Sequence, residues 1–200
     1  MESSPVSGVP HSDTVLIVSC SEKSVALFSE ALTIASINQI AVIGSAGEAR
    51  RALLEKDFDI VIIDAPLADE SGESLARNIA VKGLSQVILA VNNEHFNAVS
   101  AVCQKDGVLT ISKPFDKNFF WSALSLARSV SSKLRRMQSE NGKLKQRIED
   151  IRLIDRAKCV LISYLNLTEQ EAHRFIEKQA MDLRSTKKSI AEEILKTYAN

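Results

Sequence analysis

Two residues of opposite charge stand where this chain could do chemistry. Asp64 closes the apolar run 60–63, and Lys113 follows the apolar run 108–111. A carboxylate and an ammonium group at the ends of apolar runs can serve ligand chemistry, or they can form the ion pair that makes a buried carboxylate tolerable. A second group of candidates is purely cationic: Lys158, Arg174, Lys178, Arg184, Lys187 and Lys188 crowd the last fifty residues. Such side chains hold phosphates, although each is equally an ordinary solvated helix charge. Paired catalytic acids, a metal-ligating cluster and a glycine-rich phosphate loop are all missing. An enzyme is therefore the least supported class, and neither a cofactor nor a metal is expected. Cys20, Cys103 and Cys159 lie far apart inside apolar or helical patterns and read as three small buried thiols.

The elements that must position these groups follow from periodicity. Over the first 127 residues, short apolar runs at 15–18, 40–43, 60–63, 87–91 and 108–111 alternate with helical spacing near 22–34, 47–56, 72–81 and 95–104. Continuously apolar strands are covered on both faces, and regular βα alternation gives a parallel sheet with right-handed crossovers. The expected fold is α/β: a five-stranded doubly wound domain, then a long coiled-coil helix and a small three-helix bundle. In such a sheet ligand chemistry gathers beyond the carboxyl ends of the strands, where Asp64 and Lys113 fall.

Beyond Phe115, apolar residues recur in alternating steps of three and four at Ala127, Val130, Leu134, Met137, Asn141, Leu144, Ile148 and Ile151. This is a heptad seam whose natural partner is a second copy, with Asn141 at an a position fixing register and a two-stranded state. The alternative is that the stripe packs back onto the chain's own domains, and Gly142 inside the helix favours a bend there. Thr168-Glu-Gln-Glu171 is a capping box opening a helix that runs to about Asp182, and Ser185 or Thr186 caps a last helix buried through Ile190, Ala191, Ile194 and Leu195. The expected organisation is a flexible tail over 1–12, an α/β domain over 13–126, a coiled-coil linker over 127–151 and a helical domain over 152–200.

The net charge of zero conceals an asymmetry: residues 1–127 carry −6 and residues 128–200 carry +6. A basic end on an acidic body suits a polyanion-binding module. No apolar run reaches the roughly 18 residues that a membrane span needs, and residues 1–12 lack a secretory layout, so a cytoplasmic protein without membrane contact is expected.

Asp64, Gly72 eight residues later and the run Lys113-Pro114-Phe115 give residues 13–127 a resemblance to response-regulator receiver domains. The resemblance implies that Asp64 is the phosphoacceptor position and Lys113 the cation facing it. Receivers carry an acidic pair after the first strand to hold Mg²⁺, where this chain has Ser19 and Cys20. Val91 replaces the hydroxyl residue of the fourth strand, and Thr110 replaces the aromatic of the fifth. Without oxygen-rich ligands for a hard cation the phosphoryl-transfer apparatus is incomplete. A retained ion pair in a pseudo-receiver is expected, with input from a sensor kinase or regulatory protein, a small ligand or the oligomeric state.

Ala157-Lys158, Leu161, the segment 167–172, Ala180-Met181, Ile190-Ala191 and Ile194-Leu195 resemble the ANTAR domain over about residues 147–196, with Cys159 and Glu177 as departures. The resemblance implies a homodimer that binds a pair of RNA hairpins in a leader transcript and keeps a terminator from forming. Tyr164 and His173 could stack on a loop base, and Ala157, Ala172 and Ala180 either admit the RNA backbone or pack between helices. A DNA-binding response regulator and a coiled-coil scaffold are the rival classes. No helix-turn-helix spacing supports the first, and the second leaves the charge incidental.

Overall fold

In a computed structural model of the chain, residues 13–83 and 85–198 are described, and the expected tail over 1–12 lies outside them. Five strands, β1 (Thr14–Val18), β2 (Gln39–Ile43), β3 (Ile60–Asp64), β4 (Gln86–Asn92) and β5 (Leu109–Lys113), form one parallel sheet in the order β2-β1-β3-β4-β5. The helices between them are α1 (Glu22–Ile34), α2 (Ala46–Glu55), α3 (Glu73–Lys82) and α4 (Asn93–Cys103).

Alternation along the strands splits the core into two layers. Leu16, Val18, Val61, Ile63, Leu89 and Val91 pack on one face with Ala49, Leu75, Ile79 and Cys103. Val15, Ile17, Ile60, Ile62, Ile88 and Ala90 pack on the other with Phe28, Leu32, Phe120 and Leu124. β1, β3 and β4 are covered on both faces, as their sequences demand. β2 and β5 are edge strands, and Val42 is half exposed. Full coverage of all five strands is therefore corrected for these two.

One helix, α5 (Lys117–Leu165), follows the sheet, and the chain divides inside it, after Arg136, into two compact units. In the first unit α5 buries Phe120, Ala123, Leu124, Ala127 and Ser131. Ala127, placed at the head of the heptad seam, is a core residue of the α/β layer instead, because its face of the helix is the one the sheet covers.

At the amino edge of the sheet two buried acids hold α5. Arg128 Nε donates to Asp13 Oδ2 at 2.8 Å, Arg135 Nη2 donates to Asp13 Oδ1 at 2.7 Å, and Arg135 Nη1 lies 2.9 Å from Asp59 Oδ1. Asp59 Oδ2 also accepts from the backbone N–H of Thr14 at 2.8 Å.

The second unit closes with α6 (Glu169–Asp182) and α7 (Lys187–Tyr198). Ala157 and Leu161 of α5 pack with Ala172, Ile176 and Ala180 of α6 and with Ile190, Ala191 and Ile194 of α7. The capping box is formed: the Thr168 hydroxyl accepts from Glu171 N–H, while Glu171 Oε2 accepts from Thr168 N–H at 2.8 Å. The Thr168 N–H, more than any other group, holds the Glu171 carboxyl below the usual carboxylate range. Thr186 caps α7 by accepting from Ser189 N–H.

Candidate functional sites

Asp64 is buried at the carboxyl end of β3, and both its oxygens are engaged. Lys113 Nζ donates to Oδ1 at 2.8 Å and Ser19 Oγ donates to Oδ2 at 2.9 Å. Lys113 Nζ also donates to the Ala65 carbonyl, and Ser19 Oγ accepts from the N–H of Ser21. The ends of β1, β3 and β5 thus bring together Ser19, Asp64 and Lys113. Cys20 faces outward, its sulfur 3.9 Å from the Pro66 carbonyl.

This donor set does not fit Mg²⁺. A hard divalent ion needs several carboxylate, carbonyl or water oxygens. Here one carboxylate serves, already neutralised by an ammonium group, beside a hydroxyl and a thiol. Among the described residues no group of three or more His, Cys, Asp or Glu converges as a metal site. The arrangement is that of a closed ion pair: the carboxylate keeps a countercharge and a neutral donor, which is the condition for burying it.

The surroundings are equally fixed. Gly72 has φ +84°, a conformation that favours glycine, and a Cβ there would meet Ile63 Cγ2 at 3.1 Å, so that side chain would have to give by a few tenths of an ångström. Asp69, which sequence reasoning missed, accepts at 2.9 Å from each of the N–H groups of Ala46 and Gly47. The Ala46 and Gly47 amides, in that order, hold its carboxyl below the usual range, as expected for an anion at the amino end of a helix. Glu70 accepts from Arg50 beside it, so the loop after Asp64 is tied to α2 at two points. Val91 does not reach Asp64 with a polar atom. It helps line a cavity of about 360 Å³ with Ala65, Pro66, Asn92, His95 and Val99. The Thr110 hydroxyl is buried without a hydrogen-bond partner among the described residues.

Two of the three cysteines depart from expectation: Cys103 is buried, but Cys20 and Cys159 are exposed. Cys20 lies just past the end of β1, and Cys159 is two positions from Ala157, hence turned away from the bundle core. Burial pushes the Cys103 thiol up.

Along α5 in the second unit, Met137, Asn141, Leu144, Ile148 and Ile151 are left exposed, between half and two thirds for the apolar ones. In the first unit Val130 is 37% exposed and Leu134 half-buried.

The cations are less free than their number suggests. Lys158 Nζ lies 2.8 Å from Asp155 and 2.9 Å from Glu169, Lys188 Nζ lies 3.1 Å from Asp150, and Lys187 Nζ is bonded to Glu177. Asp155, before Glu169, holds the Lys158 ammonium above its ordinary range, and Asp150 does the same for Lys188. The +6 of the carboxyl-terminal part also shrinks on inspection. Arg128 and Arg135 are spent on Asp13 and Asp59, and residues 137–200 hold twelve Lys and Arg against ten Asp and Glu. A net +2 on this unit is a weak argument for a polyanion partner.

Comparison with known proteins bears on the family of the chain. The model of the response regulator receiver domain matches residues 15–125, and that of the ANTAR domain matches residues 142–195. Transcriptional regulatory protein PdtaR of Mycobacterium tuberculosis is 29% identical over 159 residues, 78% of either chain. The aliphatic amidase regulator of Pseudomonas aeruginosa is 29% identical over 85 residues, 42% of this chain and 43% of that protein. The signal receiver domain of an HD domain-containing protein from Pseudomonas fluorescens Pf-5 superposes with a TM-score of 0.57 at 21% identity, over 66% of this chain and 97% of that one, which shows the fold. The chain belongs to the response regulators: a receiver domain with the closed Asp64–Lys113 pair, followed by an ANTAR domain.

Proposed function

We propose that this response regulator is a cytoplasmic, RNA-binding antitermination factor that acts as a homodimer and takes its input without phosphoryl transfer. The observation that carries the reading is the ANTAR match over residues 142–195, folded as a three-helix bundle. The apolar stripe from Met137 to Ile151, left exposed by the chain's own described residues, supports a second copy as its cover. An antiparallel or monomeric use of that stripe would waste Asn141, whose amide can bond its twin across a parallel dimer. Proteins read RNA sequence mainly in loops, where unpaired bases expose their edges, while basic side chains hold the phosphates. Two bundles in one dimer suit two hairpins, because the second binding event becomes intramolecular. Holding both hairpins would deny the overlapping terminator its strands. Among the described residues no helix is long and apolar enough to cross a membrane.

On the input side, no group of acids converges with Asp64 among the described residues to hold a phosphodonor's metal, so a sensor kinase or regulatory protein would act by docking. The test is transcription read-through on leader templates together with mobility shifts on a two-hairpin RNA, a loop-scrambled control and duplex DNA of the same sequence. Preference for the native loops with increased read-through is the expected result. Equal binding to both RNAs, or tighter binding to the duplex, would overturn the assignment.

A further inference from the structure

The six candidate cations of the bundle fall into two classes by what already neutralises them. Lys158 joins α5 to Glu169 of α6, Lys187 joins α7 to Glu177 of α6, and Lys188 joins α7 to Asp150 of α5. Each ties two different helices together, so these three lysines act as staples of the bundle. The side chains of Arg174, Lys178 and Arg184 make no salt bridge or hydrogen bond within the described residues, although Arg174 is close enough to Glu171 to act on it through charge. Their charge is available to a partner.

Two of these cations lie among exposed apolar side chains. On α6, Ala172, Ile176 and Ala180 mark the buried face. Arg174, Phe175, Lys178 and Met181 follow one another at helical spacing on the side turned away from it. Phe175 is 37% exposed and Met181 is 78% exposed, although both are large and apolar. The acids of this face stand at its two ends. Glu171 is committed to the capping box and Asp182 closes the helix.

We infer that this outer face of α6 is the surface that receives an RNA loop, with the Phe175 ring stacked on an unpaired base and Arg174 and Lys178 on the flanking phosphates. The inference rests on the RNA reading given above and moves the contact away from Lys187 and Lys188. The chemistry fits a single-stranded loop: an aromatic face serves any splayed base, and cations outside any salt bridge on either side match a backbone that passes over it. Met181 extends the apolar floor by one turn.

The test uses the full chain and a hairpin RNA selected by the wild type from a random-loop pool. Phe175→Leu keeps an apolar side chain and removes the ring. It should weaken binding about ten- to a hundredfold while leaving the salt dependence unchanged, since stacking releases no counterions. Arg174→Gln with Lys178→Gln should flatten the log–log salt slope by roughly one to two units. Lys187→Gln with Lys188→Gln should lower the melting temperature of the bundle and leave the slope of the folded protein as it was. Circular dichroism keeps folding separate from binding in each case. Wild-type affinity and slope in both α6 variants, with a hairpin still selected, would overturn this face and leave the RNA reading standing. Failure of the wild type to enrich any hairpin would overturn both.

Discussion

Replacing Arg128 and Arg135 together by Met removes two guanidinium groups and keeps their apolar stems on α5. Asp13, only 6% exposed, then loses the partners that now stand 2.8 and 2.7 Å from its oxygens. Orphaning a deeply buried carboxylate costs about 3–5 kcal/mol, whereas an exposed pair contributes about 0–1 kcal/mol. The arginines are 42% and 27% exposed, so water reaches the site and the cost lies toward the lower end of the buried range, about 3 kcal/mol. For a unit of this size each kcal/mol shifts the melting temperature by about 3–5 °C, which gives a fall of roughly 10 °C. The assay is built into the chain: Trp121, its single tryptophan, lies in the first unit, and its two tyrosines, Tyr164 and Tyr198, lie in the second with ring centroids 5.8 Å apart. Tryptophan fluorescence should report the lowered transition while tyrosine absorbance does not move. Adding Asp13→Asn should recover about 1 kcal/mol or more, because an uncharged amide is cheaper to bury than an unpaired carboxylate. A fall of less than about 3 °C, or no recovery on adding Asp13→Asn, would refute the argument that these ion pairs seat α5.

Small phosphodonors with Mg²⁺ should leave no adduct on Asp64 by intact-mass measurement, and an adduct that disappears in Asp64→Ala would show the site to be a working phosphoacceptor. Met137→Asp with Leu144→Asp places charges in the proposed seam and should halve the mass seen by sedimentation, while an unchanged mass would show that the stripe has another use. The bundle should hold a stability plateau at neutral pH. Gln146 and then Lys188 depress Asp150, the Thr168 amide depresses Glu171 and Lys187 depresses Glu177, so their contributions are complete above the ordinary carboxylate range and are lost as pH falls below it. Asp155 and Asp150 raise Lys158 and Lys188, whose contributions hold below the ordinary lysine range and are lost at higher pH. Tyrosine-monitored melting as a function of pH checks both edges, and a steady rise of stability into acid would contradict the ion-pair account.

Which parts of this architecture could be seen in the sequence follows from how local their signals are. β1, β3 and β4 announce themselves because a strand covered on both faces must be apolar at every position. β2 and β5 look the same in sequence, yet only pairing order puts them at the edges. The capping box at Thr168 and Glu171 is a four-residue pattern and is present as expected. The Asp13 and Asp59 sites join residues dozens to more than a hundred positions apart, and Asp69 reaches the start of α2 across 22 or 23 residues, so no spacing rule flags them. Charge counting misled for the same reason. It could not tell that Arg128 and Arg135 face acids of the first unit, or that Lys187 and Lys188 are consumed inside the second. Ala127 fits a heptad and a sheet-facing stripe equally well, and the choice is made by what lies opposite.

The seating of α5 also bears on the order in which the chain is made. Asp13 waits for Arg135 over 122 positions, so the first unit cannot complete its contacts until nearly all of its own length has left the ribosome. The proposed seam comes next, beginning at Met137. At about 5–20 residues per second the interval between Arg135 and Ile151 is on the order of one to three seconds, long enough for a small α/β body to close. The apolar stripe therefore emerges behind a folded body, and in the proposed dimer neighbouring nascent chains would meet through a helix whose preceding half already has its acids and its core.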